Sequence, residues 1–243
     1  MRTMTLTEFN EELANRVGLS RIDITEETFE NEDFSSGKYI NIDFSRANFI
    51  NCNFDGADFS YSSFQDCFMP DTSCINTVFR KVDFKGADMR RCNLTGADIS
   101  GAYLYAAVLE DAVVKDIIYD SETRYFIMKC PEKGGFVGYK TCFNDRLVTL
   151  FIPEDARRTS ATMDSCRTDK AFVVSIKSYD GKQDFAEAMS YVDENFIYRK
   201  GETIEVKDFN PDRWRDSTTG MHFWMTKEEA MRYMTREKNG EKT

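Results

Sequence analysis

Nucleophilic chemistry in this chain of 243 residues would have to use its one histidine, His222, together with a cysteine. A Cys–His pair activates a thiol by taking its proton, and Cys130, Cys142 and Cys166 lie in the same half of the chain. No flanking motif supports such a pair, and the spacing of these residues is not that of a zinc site. His222 alternates with Trp224 within a strand-like run, so a structural histidine is the favoured interpretation.

Anion binding is the second chemistry that these side chains allow. Arg157, Arg158 and Arg167 carry guanidinium groups, which pair well with phosphate and carboxylate. Together with His222 and Trp224 they form a candidate ligand pocket, and solvated surface charge is the favoured alternative. The sequence contains no P-loop, GxGxxG, HExxH, GxSxG or kinase motif, so we name no catalytic residue, metal or cofactor.

The first half of the chain is organised by a period of five residues. Every fifth residue from Phe29 to Val114 is apolar or aromatic, and nine of these 18 residues are phenylalanine. At the chain's hydrophobic content of 41%, chance would produce this with a probability on the order of 10⁻⁷. The predicted inward core of this repeat is Phe44, Phe49, Phe54, Phe59, Phe64, Phe79, Phe84, Leu94 and Leu104.

A second inward position lies two residues before each large one. From Ala47 onward it holds only small or β-branched residues. A period of five fits neither an amphipathic helix nor an alternating strand, but it fits a solenoid whose units are one short side and a turn. Cys52, Cys67 and Cys92 occupy the small position and Cys74 the large one, so we interpret them as core residues rather than metal ligands.

Five strings of this half read CNFDG, ADFSY, VDFKG, CNLTG and ADISG. They resemble the pentapeptide-repeat family, whose consensus is A-(D/N)-L-x-x, over residues 27–116. The resemblance implies a right-handed quadrilateral β-helix with four pentapeptides in each coil. Before it, the capping-box pattern from Thr5 to Glu8 predicts a helix over residues 6–17 that covers the first coil.

The second half shows no period of five. Seven runs predict short strands: Phe126–Met128, Phe136–Tyr139, Leu147–Ile152, Ala171–Ile176, Phe196–Tyr198, Thr203–Val206 and Met221–Met225. A short helix or an irregular turn is predicted over residues 184–189, and a second capping box at Thr226 predicts a C-terminal helix. The strings LVTLFIPEDARR, SCRTDKAFVVSI and GMHFWMTKEEA resemble an uncharacterised domain that follows pentapeptide repeats in some phage and large-virus proteins.

These observations predict a mainly β protein with three parts. Residues 1–23 hold an N-terminal capping helix, residues 24–118 form the β-helix, and residues 121–243 form a separate α+β domain.

The formal net charge is −10. Residues 1–120 carry 11 Lys and Arg against 21 Asp and Glu, whereas residues 121–243 carry 21 of each. The acidic excess argues against direct nucleic-acid binding, because phosphate contacts need excess Lys and Arg.

The apolar runs are too short to cross a membrane, and the first residues lack the apolar stretch of a signal peptide. We therefore expect no membrane partner and a cytoplasmic protein, in the host cytoplasm if it is viral. The oligomeric state is left open.

A non-catalytic protein-binding module is the leading functional hypothesis, because the faces of a rigid solenoid suit protein contact better than chemistry. The resemblances imply two more specific versions: a viral protein that binds and inhibits a host factor, and DNA mimicry of a topoisomerase-type target. The candidate contact residues are Asp55, Asp66, Asp71, Arg90 and Arg91. In the alternative hypothesis the C-terminal domain is an enzyme, or a receptor for a small anionic ligand, that the β-helix displays.

Overall fold

The computed structural model describes residues 2–18 and 20–238. The chain divides into two compact units, Met1–Ile127 and Met128–Thr243, here called the solenoid unit and the sheet unit. The observed division lies between residues 127 and 128, somewhat later than the predicted change of domain at residues 118–121. No helix among the described residues has the length and apolar character that a bilayer span requires.

The solenoid unit is built from parallel bridges between residues one coil apart. Its regular elements are α1 (Leu6–Ala14), β1 (Ile22–Asp23), β2 (Thr28–Glu30), β3 (Ile42–Asp43) and β4 (Asn48–Ile50), with β1 parallel to β3 and β2 parallel to β4. Single parallel bridges then join residues 20 positions apart, from Asp33 with Asn53 to Asp98 with Ile118. Twenty residues are four pentapeptides, so each coil contains four repeats.

Each repeat turns through a residue in the left-handed region. The N–H of Ala47 donates to the carbonyl of Phe44 at 2.9 Å, and Arg46 between them has a φ of 59°. A positive φ at the third residue is the mark of a type II turn. The same conformation recurs at every fifth residue from Glu26 to Asp116, with glycine at positions 56, 86, 96 and 101. The repeat therefore fixes the corners as well as the core.

The inward positions are filled by rings in close contact. All nine residues of the predicted repeat core are buried, at 2% exposure or less. The ring centroids of Phe54 and Phe59 are 4.7 Å apart. Phe9 of α1 is also buried, and its ring lies 5.6 Å from that of Phe44. The helix ends at Ala14 instead of residue 17, because Asn15 caps it and Val17 is 84% exposed.

The solenoid continues beyond the end of the sequence repeat. Arg124 bridges Tyr103 across 21 residues instead of 20, so one extra residue breaks the period while the coil persists. Thr123 is buried, and its hydroxyl donates to the carbonyl of Ile99 at 3.1 Å. The strand predicted at residues 126–128 is not formed, and Phe126 is buried within the solenoid unit.

The sheet unit contains an antiparallel sheet of seven strands in the order β12-β9-β6-β5-β13-β8-β7. The strands and the helix are β5 (Phe136–Cys142), β6 (Arg146–Ile152), β7 (Arg158–Thr159), β8 (Ser165–Thr168), β9 (Lys170–Ser178), β10 (Glu187–Met189), β11 (Ile197–Arg199), β12 (Thr203–Glu205), β13 (Met221–Trp224) and α2 (Lys227–Lys238). The helix or turn predicted over residues 184–189 is wrong in part, because β10 pairs there with β11.

The two faces of this sheet are covered differently. One face carries the main core, which includes Val148, Leu150 and Phe223. The other face packs Leu147 and Trp224 against Ala230 of α2. Because α2 lies against β5 and β13, it covers only part of its face.

Candidate functional site

Arg167 is the most deeply buried of the predicted ligand-binding arginines, at 2% exposure. Its guanidinium donates to three main-chain carbonyls: those of Asn210 and Thr219 at 2.9 Å and that of Asp212 at 2.7 Å. Burial lowers the pKa of Arg167 from its ordinary value. These bonds fasten the segment before β13 to β8, so the guanidinium acts as an internal cross-link.

Arg158 and Arg157 point to other partners. Arg158 donates to the carbonyls of Gly134 and Pro153 at 2.5 Å and of Glu154 at 2.8 Å. Arg157 is more than half exposed, and its Nε donates to the Asp169 carboxylate at 2.6 Å. The structure therefore engages each of the two arginines with its own set of acceptors, and this favours a structural role over a shared anion site.

His222 lies beside Arg167, because the two residues are direct partners in the pairing of β13 with β8. The His222 Nε2 atom is 3.1 Å from the carbonyl oxygen of Asp216. Burial lowers the pKa of His222 and raises the pKa of Asp216. Trp224 is buried, with its ring 4.9 Å from that of Tyr233. Of the predicted pocket, the structure thus brings together Arg167 and His222, with Trp224 on the same strand. Arg157 is also near Arg167, because the two guanidinium groups lie 5.1 Å and 5.5 Å from the centroid of the Phe209 ring.

The seven cysteines are all buried and free. Burial raises the pKa of Cys52 to about 11 and that of Cys142 to about 12, which disfavours their thiolates. The pKa of Cys130, in contrast, is lowered by a hydrogen bond with the Cys166 thiol. Over residues 2–18 and 20–238, no group of three His, Cys, Asp or Glu side chains is placed to hold a metal ion.

In the solenoid unit, Asp71 and Arg91 form an ion pair on one corner. They lie one coil apart, and Arg91 donates from Nε and Nη2 to the two Asp71 carboxylate oxygens, each at 2.7 Å. Hydrogen bonding to Arg91 lowers the pKa of Asp71. Both side chains are at least half exposed, so the pair is accessible but carries no net charge.

The other predicted contact residues lie apart from this pair or are engaged locally. Arg90 pairs with Asp88. The Asp55 carboxylate accepts from the Ser73 hydroxyl at 2.7 Å and from the N–H of Ile75 at 2.8 Å. Asp55 therefore stabilises the next coil as well as carrying a charge.

Position within the 20-residue coil places Asp66 on another corner. Arg80, from the basic run of residues 80–91, donates to Asp98 at 2.7 Å. Lys81 of the same run lies over the Tyr61 ring, 5.9 Å from its centroid. With Arg90 and Arg91, three arginines of this run are neutralised by neighbouring carboxylates, so the run does not form an uncompensated basic belt.

The 20-residue coil sorts the charged side chains unevenly between its sides. One side, here called the acidic side, includes the corner of Asp71 and the next corner along the chain. Among the outward positions of residues 21–120, its ten charged residues are Glu30, Asp33, Asp55, Asp71, Glu110, Asp111 and Asp116, with Arg90, Arg91 and Lys115. The side two repeats away carries Asp23, Glu26, Asp43, Asp66, Asp83 and Asp120, with Arg21, Arg46, Arg80, Lys81 and Lys85. The negative charge is therefore concentrated on the acidic side.

Comparison with family models identifies both halves of the chain. The model described as pentapeptide repeats (8 copies) matches residues 33–66, 40–73 and 72–111. The N-terminal part is a pentapeptide-repeat region. Residues 126–230 match a family of unknown function, DUF5758. These matches confirm the repeat resemblance and the separate domain that follows it, whereas no curated protein matches the chain.

Solved pentapeptide-repeat proteins match part of this chain. Rfr23 from the cyanobacterium Cyanothece 51142 is 18% identical, with a TM-score of 0.34, and the match covers 42% of this chain and 62% of that one. HetL from Nostoc sp. Strain PCC 7120 is 17% identical, with a TM-score of 0.24, and the match covers 45% and 48%. Full-length QnrB1, a plasmid-mediated fluoroquinolone resistance protein, is 16% identical, with a TM-score of 0.15 and coverage of 49% and 90%. The chain thus spans about half to three fifths of the first two proteins.

The sequence analysis missed one surface, which lies in the DUF5758 region. Val137, Phe151, Phe172 and Val174 are exposed side chains on three adjacent strands of the sheet. Alternation along β6 and β9 is the signal that could have found them, because it places Phe151 and Phe172 on the face opposite Leu150 and Val173.

Proposed function

We propose that the pentapeptide-repeat region is a non-catalytic binding module that recognises a basic surface of a partner protein through its acidic side. The uneven distribution of charge carries this proposal: seven carboxylates against three cations on one side, and six against five two repeats away. Charge complementarity of this kind steers association and selects partners.

The regular coil supports a surface of this kind. Successive coils lie about 4.8 Å apart, so side chains at equivalent positions form a rigid column at fixed spacing. Asp71 and Asp111, two coils apart on one corner, are therefore held at about 10 Å with Arg91 between them. Fixed charges lose little conformational freedom when a partner binds.

DNA mimicry of a topoisomerase-type target is the more specific version of this proposal, and a viral inhibitor of a host factor is the broader one. Both need a partner that binds an array of negative charges. We also propose that the coils are right-handed and quadrilateral and that α1 caps the first coil, which agrees with the contact of Phe9 with Phe44.

The alternative, a small anionic ligand bound in the sheet unit, has weaker support. Arg167 and Arg158 direct their guanidinium groups at main-chain carbonyls, and Arg157 pairs with Asp169. An incoming anion would have to compete with these bonds.

The test is a binding measurement of the full chain with a purified type II topoisomerase, with duplex DNA as competitor. Changing Glu30→Gln, Asp111→Asn and Asp116→Asn together removes three charges from the acidic side and keeps the side chains' shape. We expect the affinity to fall at least about tenfold, to fall further with added salt, and to be reduced by competing DNA.

The matched control changes Asp23→Asn, Asp66→Asn and Asp83→Asn on the side two repeats away. It removes the same charge, so a general charge effect would weaken binding equally. Equal losses in both triple variants, or binding unaffected by salt, would contradict recognition through the acidic side.

A further inference from the structure

The sheet unit exposes a compact apolar surface, here called the apolar row. Val137 is 40% exposed, Phe151 and Phe172 are 39% exposed, and Val174 is 44% exposed. Val137 pairs directly with Phe151, and Phe151 pairs with Phe172, so three of these side chains form a line across β5, β6 and β9. The register shift beside Thr149 adds Val174 next to this line.

The apolar row continues a face that is already half covered. Leu147 alternates with Phe151 on β6, so both lie on one face of the sheet. Leu147 is buried in a cluster with Trp224 and Ala230 of α2, whereas Phe151 remains in solvent. Exposed apolar side chains that are neighbours on one face mark a surface where another molecule binds.

The charged groups at the two ends of β9 differ in sign. At the start of β9, Lys170 lies 2.7 Å from the Asp155 carboxylate and 3.5 Å from the Glu205 carboxylate, so this end carries one negative charge overall. At the other end, Lys177 and Lys200 each lie 3.9 Å from Asp184, which gives one positive charge overall.

The apolar row lies between these two ends. Lys170, Phe172 and Lys177 lie on one face of the sheet. Lys170 pairs with Glu205 of β12, whereas Phe172 and Lys177 pair with Phe151 and Leu147 of β6. The seven residue steps from Lys170 to Lys177 span about 23 Å, and Phe172 and Val174 lie within that distance, between the two lysines.

We propose that the apolar row is a self-association surface that joins two copies of this chain about a two-fold axis. A two-fold contact uses the same patch on both subunits. The proposed axis lies in the plane of the contact and perpendicular to β9, so it reverses the direction of β9 in the second copy. The negative end of one copy then faces the positive end of the other, while the apolar rows meet at the centre. A second copy thus matches both the apolar centre and the opposite charges at its ends.

Self-association of the sheet unit gives each assembly two pentapeptide-repeat regions. Two linked modules bind a partner with two sites more tightly than one module does, without any new contact. This consequence goes beyond the proposed function and does not depend on it, because self-association is measured without a partner.

The experiment measures the mass of the full chain by sedimentation equilibrium over a range of concentrations. We expect a dimer, and we expect Phe172→Asp to raise its dissociation constant at least about 100-fold, since this places a charge at the centre of the contact. Val192→Asp is the control, because Val192 is 89% exposed in the same unit and outside the row. A wild-type chain that stays monomeric up to about 100 µM would overturn the proposal.

A charge exchange tests the two-fold arrangement and does not depend on the folding of Phe172→Asp. Glu205→Lys and Lys177→Glu should each weaken the dimer several-fold, since each places like charges opposite one another. The double variant should recover most of the affinity, because it exchanges the signs of the two ends. If the losses of dimer affinity add in the double variant, or if Phe172→Asp leaves the dissociation constant of the dimer unchanged, this surface is excluded.

Discussion

The two units hold their cores together in different ways. In the solenoid unit, contacts recur at fixed separations: bridges join residues 20 apart, and rings such as Phe54 and Phe59 are neighbouring repeat positions. In the sheet unit, contacts join distant and unrelated positions, such as Lys129 with Glu229 at 2.6 Å. A repeated contact can be read from the period, whereas a unique contact cannot.

Polar groups also serve different purposes in the two units. Several inward Ser, Thr and Cys side chains of the solenoid donate to the carbonyl 23 residues earlier, as Cys67 does to Phe44 at 2.7 Å and Thr77 to Phe54 at 2.8 Å. In the sheet unit, Arg167 alone satisfies three carbonyls of one irregular segment. One arrangement is distributed over the coils, and the other depends on a single side chain.

The largest expected effect is a cavity in the solenoid core. Phe54→Ala should lower the free energy of unfolding by about 3–5 kcal/mol, because the ring is fully buried among Phe49, Phe59 and others. Urea unfolding followed by circular dichroism measures this. The control is Asp58→Ala, which loses acceptor bonds to Ser60 and should cost about 1 kcal/mol. Equal costs would contradict a core made of inward rings.

The next effect tests the single cross-link of the sheet unit. Arg167→Met should cost about 3 kcal/mol, because it leaves the carbonyls of Asn210, Asp212 and Thr219 without their donor. Arg157→Met removes a guanidinium that is more than half exposed from its pair with Asp169, and should cost under about 1 kcal/mol. If the free energy of unfolding of the Arg167 variant is no lower than that of the Arg157 variant, the segment before β13 does not need its cross-link.

A smaller effect separates the packing of the repeat from its hydrogen bonds. Thr77→Val should cost about 1 kcal/mol, because the Phe54 carbonyl loses the Thr77 hydroxyl. Thr72→Val is the matched control at the same inward position. The buried Thr72 hydroxyl has no hydrogen-bond partner in the part of the chain that the structure describes, so this change should be neutral or stabilising. Thermal unfolding of both variants decides this, and equal losses would show that the hydroxyl bond contributes nothing.

The smallest effect is a dependence of stability on pH in the sheet unit. Burial lowers the pKa of His222 below its ordinary 6.5, so the unfolded chain takes up a proton first as the pH falls through that value. Stability that is present above this pH is then lost below it. The raised pKa of Asp216 acts in the opposite direction at lower pH, where the folded state binds the proton first.

His222→Gln removes the histidine contribution and leaves Asp216 in place. Between about pH 7.5 and 5.5, we expect the wild type to lose about 1 kcal/mol more than this variant in urea unfolding. Parallel curves for the two proteins would show that His222 does not titrate differently in the folded and unfolded states.

Much of the solenoid could be predicted because one local rule is applied many times. Phe44 to Leu104 are buried as the period requires, and the left-handed corners recur every five residues. The prediction failed at the ends, where the rule stops: Thr123 and Arg124 continue the coil without the period. In the sheet unit, alternation located the long strands β6 and β9. It missed β7 and β8, because pairing decides whether such short segments are strands.

The sequence by itself determined the repeat, its inward residues, the change to a second kind of domain and the acidic balance of the first half. These properties depend on local spacing and composition, which a linear chain contains in full. Only the tertiary structure decided which charges cancel, as Asp71 does with Arg91, and which stay concentrated on the acidic side. It also decided that Arg167 binds carbonyls and that Phe151 and Phe172 are neighbours on one partly exposed face. The physical reason is that a charge or an apolar side chain acts through its neighbours in space, and folding brings those neighbours from distant parts of the chain.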